Sequence, residues 1–171
     1  MTRLELAHCI YQTAHLRGQF TLRSGATATE YFDKYQFETH PELLRALAIH
    51  LQPLIPDDID ILAGLELGGV PIATMLAQLS GLPACFVRKQ AKEYGTCKLA
   101  EGPDIAGKNL LIVEDVVTSG GQIALSAQDL RNLGAEVSQA ICVIDRESGG
   151  IESLAQEGIE LHALFRMSEL K

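Results

Sequence analysis

Apolar and polar residues follow one another along the chain in blocks that predict strands alternating with helices. Thr2 followed by Glu5 predicts a capping box that opens the first helix, and Gly81 and Gly134 are typical helix stops. One further helix is predicted to begin at Pro41, and the others follow apolar strands. A polar, glycine-containing stretch predicts a long loop at 89–107. The predicted helices span about 2–17, 41–51, 68–79, 121–133 and 152–156. The predicted strands span about 20–22, 31–33, 59–63, 84–87, 109–113, 137–144 and 160–165.

This order of elements indicates an α/β fold. Apolar strands joined through helices predict a parallel sheet that helices cover on both faces. In such sheets ligands bind beyond the carboxyl ends of the strands, where the strand order switches direction. The 171 residues suit a single domain, and functional residues are expected directly after strands.

Composition and charge narrow the possible functions. A formal net charge of -8 argues against binding to a nucleic-acid backbone, although a local basic loop could still bind a small anion. No stretch is long and apolar enough to cross a membrane and no secretion signal is visible, so we expect a soluble, cytoplasmic protein. The four cysteines show no CxxC pairing and are expected to be reduced thiols: Cys9, Cys85, Cys97 and Cys142.

The segment 110–121 carries the clearest chemical signal. A buried strand is predicted to present Glu114 and Asp115 at its carboxyl end, and small hydroxyl residues and two glycines follow before a helix begins. Backbone N–H groups of such a turn bind phosphate, and the carboxylates could accept hydrogen bonds from ribose hydroxyls. The alternative is that this segment is only a strand followed by a capped helix, without a ligand. That explanation is the better one for any single residue, but the ordered run of twelve residues makes it improbable. Neither GxxxxGK[ST] nor GxGxxG occurs.

Residues 110–121 resemble the phosphoribosyl pyrophosphate signature of type I phosphoribosyltransferases. Within that family, four further segments resemble the orotate-specific enzymes: 20–25, 31–33, 86–95 and 143–147. The resemblance implies a parallel sheet flanked by helices, with an N-terminal hood over about 1–40 and a core over about 41–171 in one domain. It also implies transfer of the 5-phosphoribosyl group to orotate in pyrimidine biosynthesis, by a Mg²⁺-dependent homodimer that shares loop residues across its interface.

The resemblance implies roles for individual residues. Lys92, Tyr94, Glu114 and Asp115 would be catalytic, and Lys92 would come from the neighbouring subunit. Mg²⁺ would be bound mainly through the substrate, so no protein metal site is expected. The donor-binding residues would be Leu67, Gly68, Arg88, Lys89, Lys92, Glu114, Asp115, Val116, Val117, Thr118, Ser119, Gly120, Gly121 and Gln122.

Arg146 bears on the identity of the base. Its planar guanidinium matches a carboxylate with two hydrogen bonds, and orotate has a carboxylate that purines lack. The alternative is a surface salt bridge with Asp145 or Glu147. The other residues that the resemblance places at orotate are Arg23, Tyr31, Phe32 and Thr118.

Two positions depart from the family pattern. Many orotate enzymes carry a lysine where Gly68 stands. The mobile loop of the family usually has a histidine where Tyr94 stands. A histidine can become a cation, whereas the phenol of tyrosine stays neutral near pH 7. Two other functions therefore remain open: transfer to a different base, and a regulator that binds the donor without turning it over. The basic residues Arg88, Lys89, Lys92 and Lys98 argue against the regulator, because a mobile cationic loop suits a leaving pyrophosphate.

Overall fold

The computed structural model describes residues 1–21, 25–91 and 98–170. Its strands are β1 (His15–Thr21), β2 (Thr27–Phe32), β3 (Ile61–Leu65), β4 (Ala84–Val87), β5 (Ala100–Glu101), β6 (Asn109–Val117), β7 (Glu136–Asp145) and β8 (Glu160–Arg166). Its α-helices are α1 (Arg3–Ala14), α2 (Tyr35–Glu38), α3 (Pro41–Leu51), α4 (Gly69–Ser80), α5 (Gly121–Asn132) and α6 (Gly150–Gln156). Short 3₁₀ turns lie at Gln52–Leu54 and Met167–Glu169.

Six strands form one sheet in the order β5-β4-β3-β6-β7-β8, and β1 and β2 form a separate antiparallel hairpin. All neighbours in the large sheet are parallel except β4 and β5. The chain moves from β3 outward to β4, and then returns to place β6 on the other side of β3. The strand order therefore switches direction between β3 and β6, and their carboxyl ends are the expected ligand site.

Two apolar clusters cover the two faces of the sheet. One includes Leu111 and Val113 and packs against α1, α3 and α4. The other includes Leu110 and Ile112 and packs against α5 and α6. This alternation along β6 follows from the two-residue period of a strand, and it buries both faces as the sequence predicted.

The predicted α/β class is confirmed, and several boundaries differ from the predictions. The capping box of Thr2 and Glu5 is present, but α1 ends at Ala14 because His15 is already extended and pairs with Phe32 of β2. The predicted loop at 89–107 contains β5, which pairs antiparallel with β4.

The predicted strand at 109–113 is four residues too short. In the structure β6 continues to Val117, because Val116 and Val117 pair with Ile144 and Asp145 of β7. Glu114 and Asp115 are therefore part of the strand and do not follow it. Since neighbouring residues of a strand point to opposite faces, the two carboxylates leave the backbone on opposite sides of the sheet.

In the described ranges, no helix combines the length and apolar character needed to cross a membrane. Cys85 and Cys142 are buried free thiols, and Cys9 is a partly buried one. Burial raises the pKa of the Cys85 thiol to about 11. Cys97 lies outside the described residues.

Candidate active site

The turn after β6 forms a small concave site. A cavity of about 80 Å³ is lined by Glu114, Val116, Val117, Thr118, Ser119, Gly120, Gly121, Gln122 and Ile123. Gly120 adopts a left-handed conformation at φ 78°, and α5 begins at the next residue. The N–H groups of the first turn of a helix have no partner within that helix, so they are free to bind an anion. Every predicted phosphate-binding residue of this turn lines the same cavity.

The two carboxylates of β6 are buried beside this cavity. Asp115 is fully buried and Glu114 is 8% exposed. Although their backbone positions face opposite sides, the longer Glu114 side chain bends back, and the N–H of Asp115 donates to Glu114 Oε1 at 3.0 Å. The N–H of Val116 donates to Asp115 Oδ1. The acids and the glycine turn thus lie together at the end of one strand, as predicted.

Lys34 and Glu38 complete the carboxylate cluster. Lys34 Nζ lies 2.5 Å from Asp115 Oδ2, and Glu38 of α2 is 3% exposed. Burial, and then the charge of Asp115, raise the pKa of Glu38 to about 8. The same two causes raise the pKa of Glu114 well above its ordinary value. Burial lowers the pKa of Lys34, but the hydrogen bond and charge of Asp115 outweigh it, so that pKa is raised.

Neither Lys34 nor Glu38 belongs to the predicted site. Both follow the predicted extended segment 31–33, but no local pattern indicates that they reach β6. Their contact with Asp115 depends on how the N-terminal hairpin and α2 pack on the sheet, so a tertiary contact was needed to find them.

The turn between β3 and α4 also approaches Asp115 closely. A Cβ atom at Gly68 would overlap the Asp115 carboxylate, and one at Gly69 would overlap the carbonyl oxygen of Val113. These glycines are therefore required by the close approach of the turn to β6. The Glu66–Leu67 peptide is cis, and Leu67 is exposed.

The start of the basic loop lies next to this turn. Glu66 Oε1 accepts a hydrogen bond from the N–H of Lys89 at 2.5 Å, and the N–H of Glu66 donates to the carbonyl oxygen of Val87. Arg88 Nε lies 3.3 Å from Glu101 Oε1 of β5. The structure therefore brings Leu67 and Gly68 together with Arg88 and Lys89 at the ends of β3 and β4.

A larger cavity of about 450 Å³ adjoins the turn after β6 and shares Val116 and Thr118 with the small one. It is lined by Ala28, Glu30, Tyr31, Phe32, Asp33, Lys34, Tyr35, Val116, Thr118 and Arg146. The predicted base-binding residues Tyr31, Phe32, Thr118 and Arg146 are thus brought together.

Arg146 is not held by its acidic neighbours. Glu147 accepts hydrogen bonds from the N–H and hydroxyl of Ser168, and Asp145 Oδ1 accepts the N–H of Glu147. In the described part of the chain no salt bridge joins Arg146 to either acid. Its exposed guanidinium is available to a ligand in the larger cavity.

Comparison with known proteins agrees with this geometry. The phosphoribosyl transferase domain model matches residues 35–161. An orotate phosphoribosyltransferase from Nocardioides sp. is 54% identical over 165 residues, which are 96% of this chain and 92% of the relative. The chain belongs to the phosphoribosyltransferase family.

Further relatives within the family bear the same name. An orotate phosphoribosyltransferase from Methanocella arvoryzae is 43% identical and covers 97% of this chain and 95% of its own. The crystal structure of the Mycobacterium tuberculosis enzyme with Fe(III) dicitrate superposes with a TM-score of 0.88, at 31% identity and 98% coverage of both chains. The predicted resemblance to orotate phosphoribosyltransferases, and with it the transferase class, is confirmed.

Three predicted site residues, Arg23, Lys92 and Tyr94, lie outside the described residues. Among those that are described, no group of three or more His, Cys, Asp or Glu side chains is arranged to hold a metal ion. A Mg²⁺ ion often keeps several waters and binds through one or two carboxylates together with substrate phosphates. The exposed turns and the neighbouring acids fit an ion that arrives with a phosphorylated ligand.

Proposed function

We propose that this chain transfers the 5-phosphoribosyl group from phosphoribosyl pyrophosphate to orotate, giving orotidine 5′-monophosphate and pyrophosphate for pyrimidine biosynthesis. The observation that carries the proposal is that a phosphate-sized turn, two buried carboxylates and a cavity with a free arginine adjoin one another at the switch between β3 and β6. These parts match the phosphate, the ribose and the anionic base in their order along the product.

In the proposed complex the turn at 118–122 binds the 5′-phosphate through backbone N–H groups and hydroxyls, assisted by the aligned dipoles of α5. Glu114 and Asp115 accept hydrogen bonds from the ribose hydroxyls. Their negative charge also favours the positive charge that develops on the sugar ring as the bond to pyrophosphate breaks.

The base is bound in the larger cavity. Arg146 binds the orotate carboxylate, while Arg23, Tyr31, Phe32 and Thr118 orient the ring. The N1 atom of orotate forms the new bond to C1 of the sugar and loses its proton. The C1–O bond breaks on the opposite side, and its electron pair leaves with pyrophosphate. No protein nucleophile is needed.

In the proposed complex the leaving pyrophosphate is bound at the turn between β3 and α4. Leu67 and Gly68 present backbone groups to it, and Arg88, Lys89 and Lys92 supply positive charge, with Lys92 coming from the neighbouring subunit of a homodimer. Tyr94 supplies a phenolic hydrogen bond. Arg88 would exchange Glu101 for a pyrophosphate oxygen.

Mg²⁺ would be bound mainly through oxygens of the donor, and no side chain is assigned to it as a ligand. When bound, it neutralises charge on the leaving group. We propose that the hood at about 1–40 and the core at about 41–171 act as one catalytic domain in the cytoplasm. Mass measurement in solution tests the homodimer, and a monomer with full activity would contradict the shared loop.

The decisive experiment mixes the protein with Mg²⁺, phosphoribosyl pyrophosphate and orotate, and follows pyrophosphate release together with loss of the ultraviolet absorbance of orotate. Purine bases and uracil in place of orotate test transfer to another base. Absence of pyrophosphate with every base would instead favour a regulator that binds the donor.

The variant Arg146→Gln tests the base site. We expect its KM for orotate to rise roughly 10- to 100-fold, because hydrogen bonds to a charged group contribute about 1.5–3 kcal/mol. The KM for the donor should change little. Arg45→Gln, on the outer part of α3, is the matched control. An unchanged orotate KM in Arg146→Gln would remove this arginine from the base site.

A further inference from the structure

Asp115 is a fully buried carboxylate whose countercharge comes from a distant part of the chain. Lys34 Nζ lies 2.5 Å from its Oδ2, and these two residues are 81 positions apart. Lys34 directly precedes α2, and its side chain is 32% exposed. A buried carboxylate without a partner is strongly unfavourable, and Lys34 is the cation that contacts Asp115 in the described part of the protein interior.

The surroundings of Asp115 leave few other places for a positive charge. A Cβ at Gly68 would overlap the Asp115 carboxylate in its present position, and glycine itself brings no charge to that turn. Glu38 and Glu114, which also surround Asp115, are both buried acids. The N-terminal segment therefore supplies a cation that the β3–α4 turn does not supply.

The position of Lys34 also joins two parts of the site. Its side chain lines the larger cavity with Tyr31, Thr118 and Arg146, while its ammonium contacts the carboxylate assigned to the ribose. Because the side chain is partly exposed, the ammonium can retreat toward solvent when ribose hydroxyls reach Asp115. In the sequence Lys34 comes directly after the segment 31–33, of which Tyr31 and Phe32 are assigned to the base.

We infer that Lys34 is a positioning residue for the donor: it holds Asp115 in the orientation that receives the ribose hydroxyls, and it supplies positive charge beside Asp115 where the turn at Gly68 supplies none. The inference rests on the proposed function. Lys34 acts through Asp115 and not through the base, so its removal affects the binding of phosphoribosyl pyrophosphate and leaves the binding of orotate unchanged.

The test compares Lys34→Gln, Lys34→Arg and the exposed control Lys108→Gln with the unaltered protein. Isothermal titration of phosphoribosyl pyrophosphate with Mg²⁺, without orotate, gives donor affinity, and steady-state rates give the two KM values. For Lys34→Gln we expect donor binding weaker by about tenfold and an unchanged orotate KM, because one charge-assisted contact that orients Asp115 is lost. Lys34→Arg should restore most of the affinity, and Lys108→Gln should behave as unaltered protein.

A double-mutant cycle with Asp115→Asn separates positioning from general loss of structure. If Lys34 acts through Asp115, the second substitution adds little to the loss of donor affinity caused by Asp115→Asn alone. Additive losses would overturn the inference. So would unchanged donor affinity in Lys34→Gln, a rise confined to the orotate KM, or an equal rise in both KM values.

These outcomes are distinct from failure of the proposed function. If the unaltered protein releases no pyrophosphate with orotate, the proposed reaction is wrong. If it does release pyrophosphate and Lys34→Gln retains full donor affinity, only the positioning role is wrong.

Discussion

Two regions at the end of β6 are assigned to the same sugar phosphate in the proposed function: the turn at 118–122, and the carboxylate cluster of Lys34, Glu38, Glu114 and Asp115. They differ in the groups that they would offer to it. The turn uses backbone N–H groups and the start of a helix, and most of its residues are exposed. The cluster uses ionisable side chains: its three acids are almost completely removed from solvent, and Lys34 is partly exposed. Backbone N–H groups do not titrate, so a site of the first kind is nearly independent of pH. A site of the second kind depends on the protonation of Glu38 and Glu114, whose pKa values are both raised by burial.

The two regions also differ in how the chain assembles them. The turn is formed by consecutive residues between β6 and α5. The cluster combines β6 with the segment before and within α2, and the turn at Gly68 approaches it closely. The comparison predicts that substitutions in the cluster have pH-dependent effects, and that substitutions in the turn have effects set by local geometry.

The largest expected effect is the pH dependence introduced by Glu38. In the unfolded chain this carboxyl ionises near its ordinary pKa of about 4.3. In the folded protein burial raises the pKa to about 8. Between these values the folded state binds more protons than the unfolded state, so the free energy of unfolding falls as pH rises, by up to about 1.4 kcal/mol per pH unit.

Glu38→Gln removes this titration while keeping the shape of the side chain. We expect the stability of the variant relative to the unaltered protein to increase from pH 5 to pH 8 by on the order of 3 kcal/mol, and then to level off. Urea denaturation at several pH values measures it. Glu136→Gln at an exposed position is the control. A stability difference that does not vary with pH would contradict a buried, protonated Glu38.

The next effect tests the turn. At Gly120 a Cβ would be strained by φ 78° and would also meet the Leu154 side chain. We expect Gly120→Ala to lower the free energy of unfolding by about 2–4 kcal/mol, equally at pH 6 and pH 8. Gly158→Ala is the matched control, because Gly158 has φ 70° and open space around its Cβ position. The free energy of unfolding of Gly158→Ala should fall by only about 1 kcal/mol. Equal losses in both variants would show that contact with Leu154 is unimportant.

The difference between the two regions explains what the sequence could predict. The order Glu114-Asp115 followed by Thr118 to Gly121 is local, so the turn before α5 could be predicted from those residues alone. The alternation of apolar strands and helices likewise predicted the sheet. By contrast, the pairing of β6 with β7 extends that strand to Val117, and the pairing of His15 with Phe32 ends α1 early. Such effects come from partners far away in the chain.

The same reason applies inside the site. Arg146 was predicted from the chemistry of its side chain and lies in the expected cavity. Lys34 and Glu38 are ordinary polar residues in the sequence, and only the tertiary fold brings them to Asp115. The absence of a lysine at Gly68 was visible in the sequence, but the close approach of this turn to the Asp115 carboxylate required the three-dimensional structure.

A smaller effect is expected from removing charge at the strand end. Asp115→Asn keeps the shape of the side chain but removes the negative charge that we propose stabilises the sugar as pyrophosphate leaves. We expect kcat to fall at least about tenfold, equivalent to roughly 1.4 kcal/mol of transition-state stabilisation. Asp57→Asn, in an exposed loop before β3, should keep full activity. Unchanged turnover in Asp115→Asn would remove Asp115 from the mechanism and leave the turn as the main feature of the site.

The smallest effect is expected from the hydroxyl of Ser119, because backbone N–H groups remain in the turn when that side chain is shortened. Ser119→Ala should raise the donor KM about twofold to tenfold, as expected for one hydrogen bond of 0.5–1.5 kcal/mol, without changing kcat. Steady-state rates with saturating orotate measure it, and Ser153→Ala on the exposed side of α6 is the control. A loss much above tenfold would mean that this site depends on a side chain as strongly as the carboxylate cluster does, and the contrast between the two regions would then be wrong.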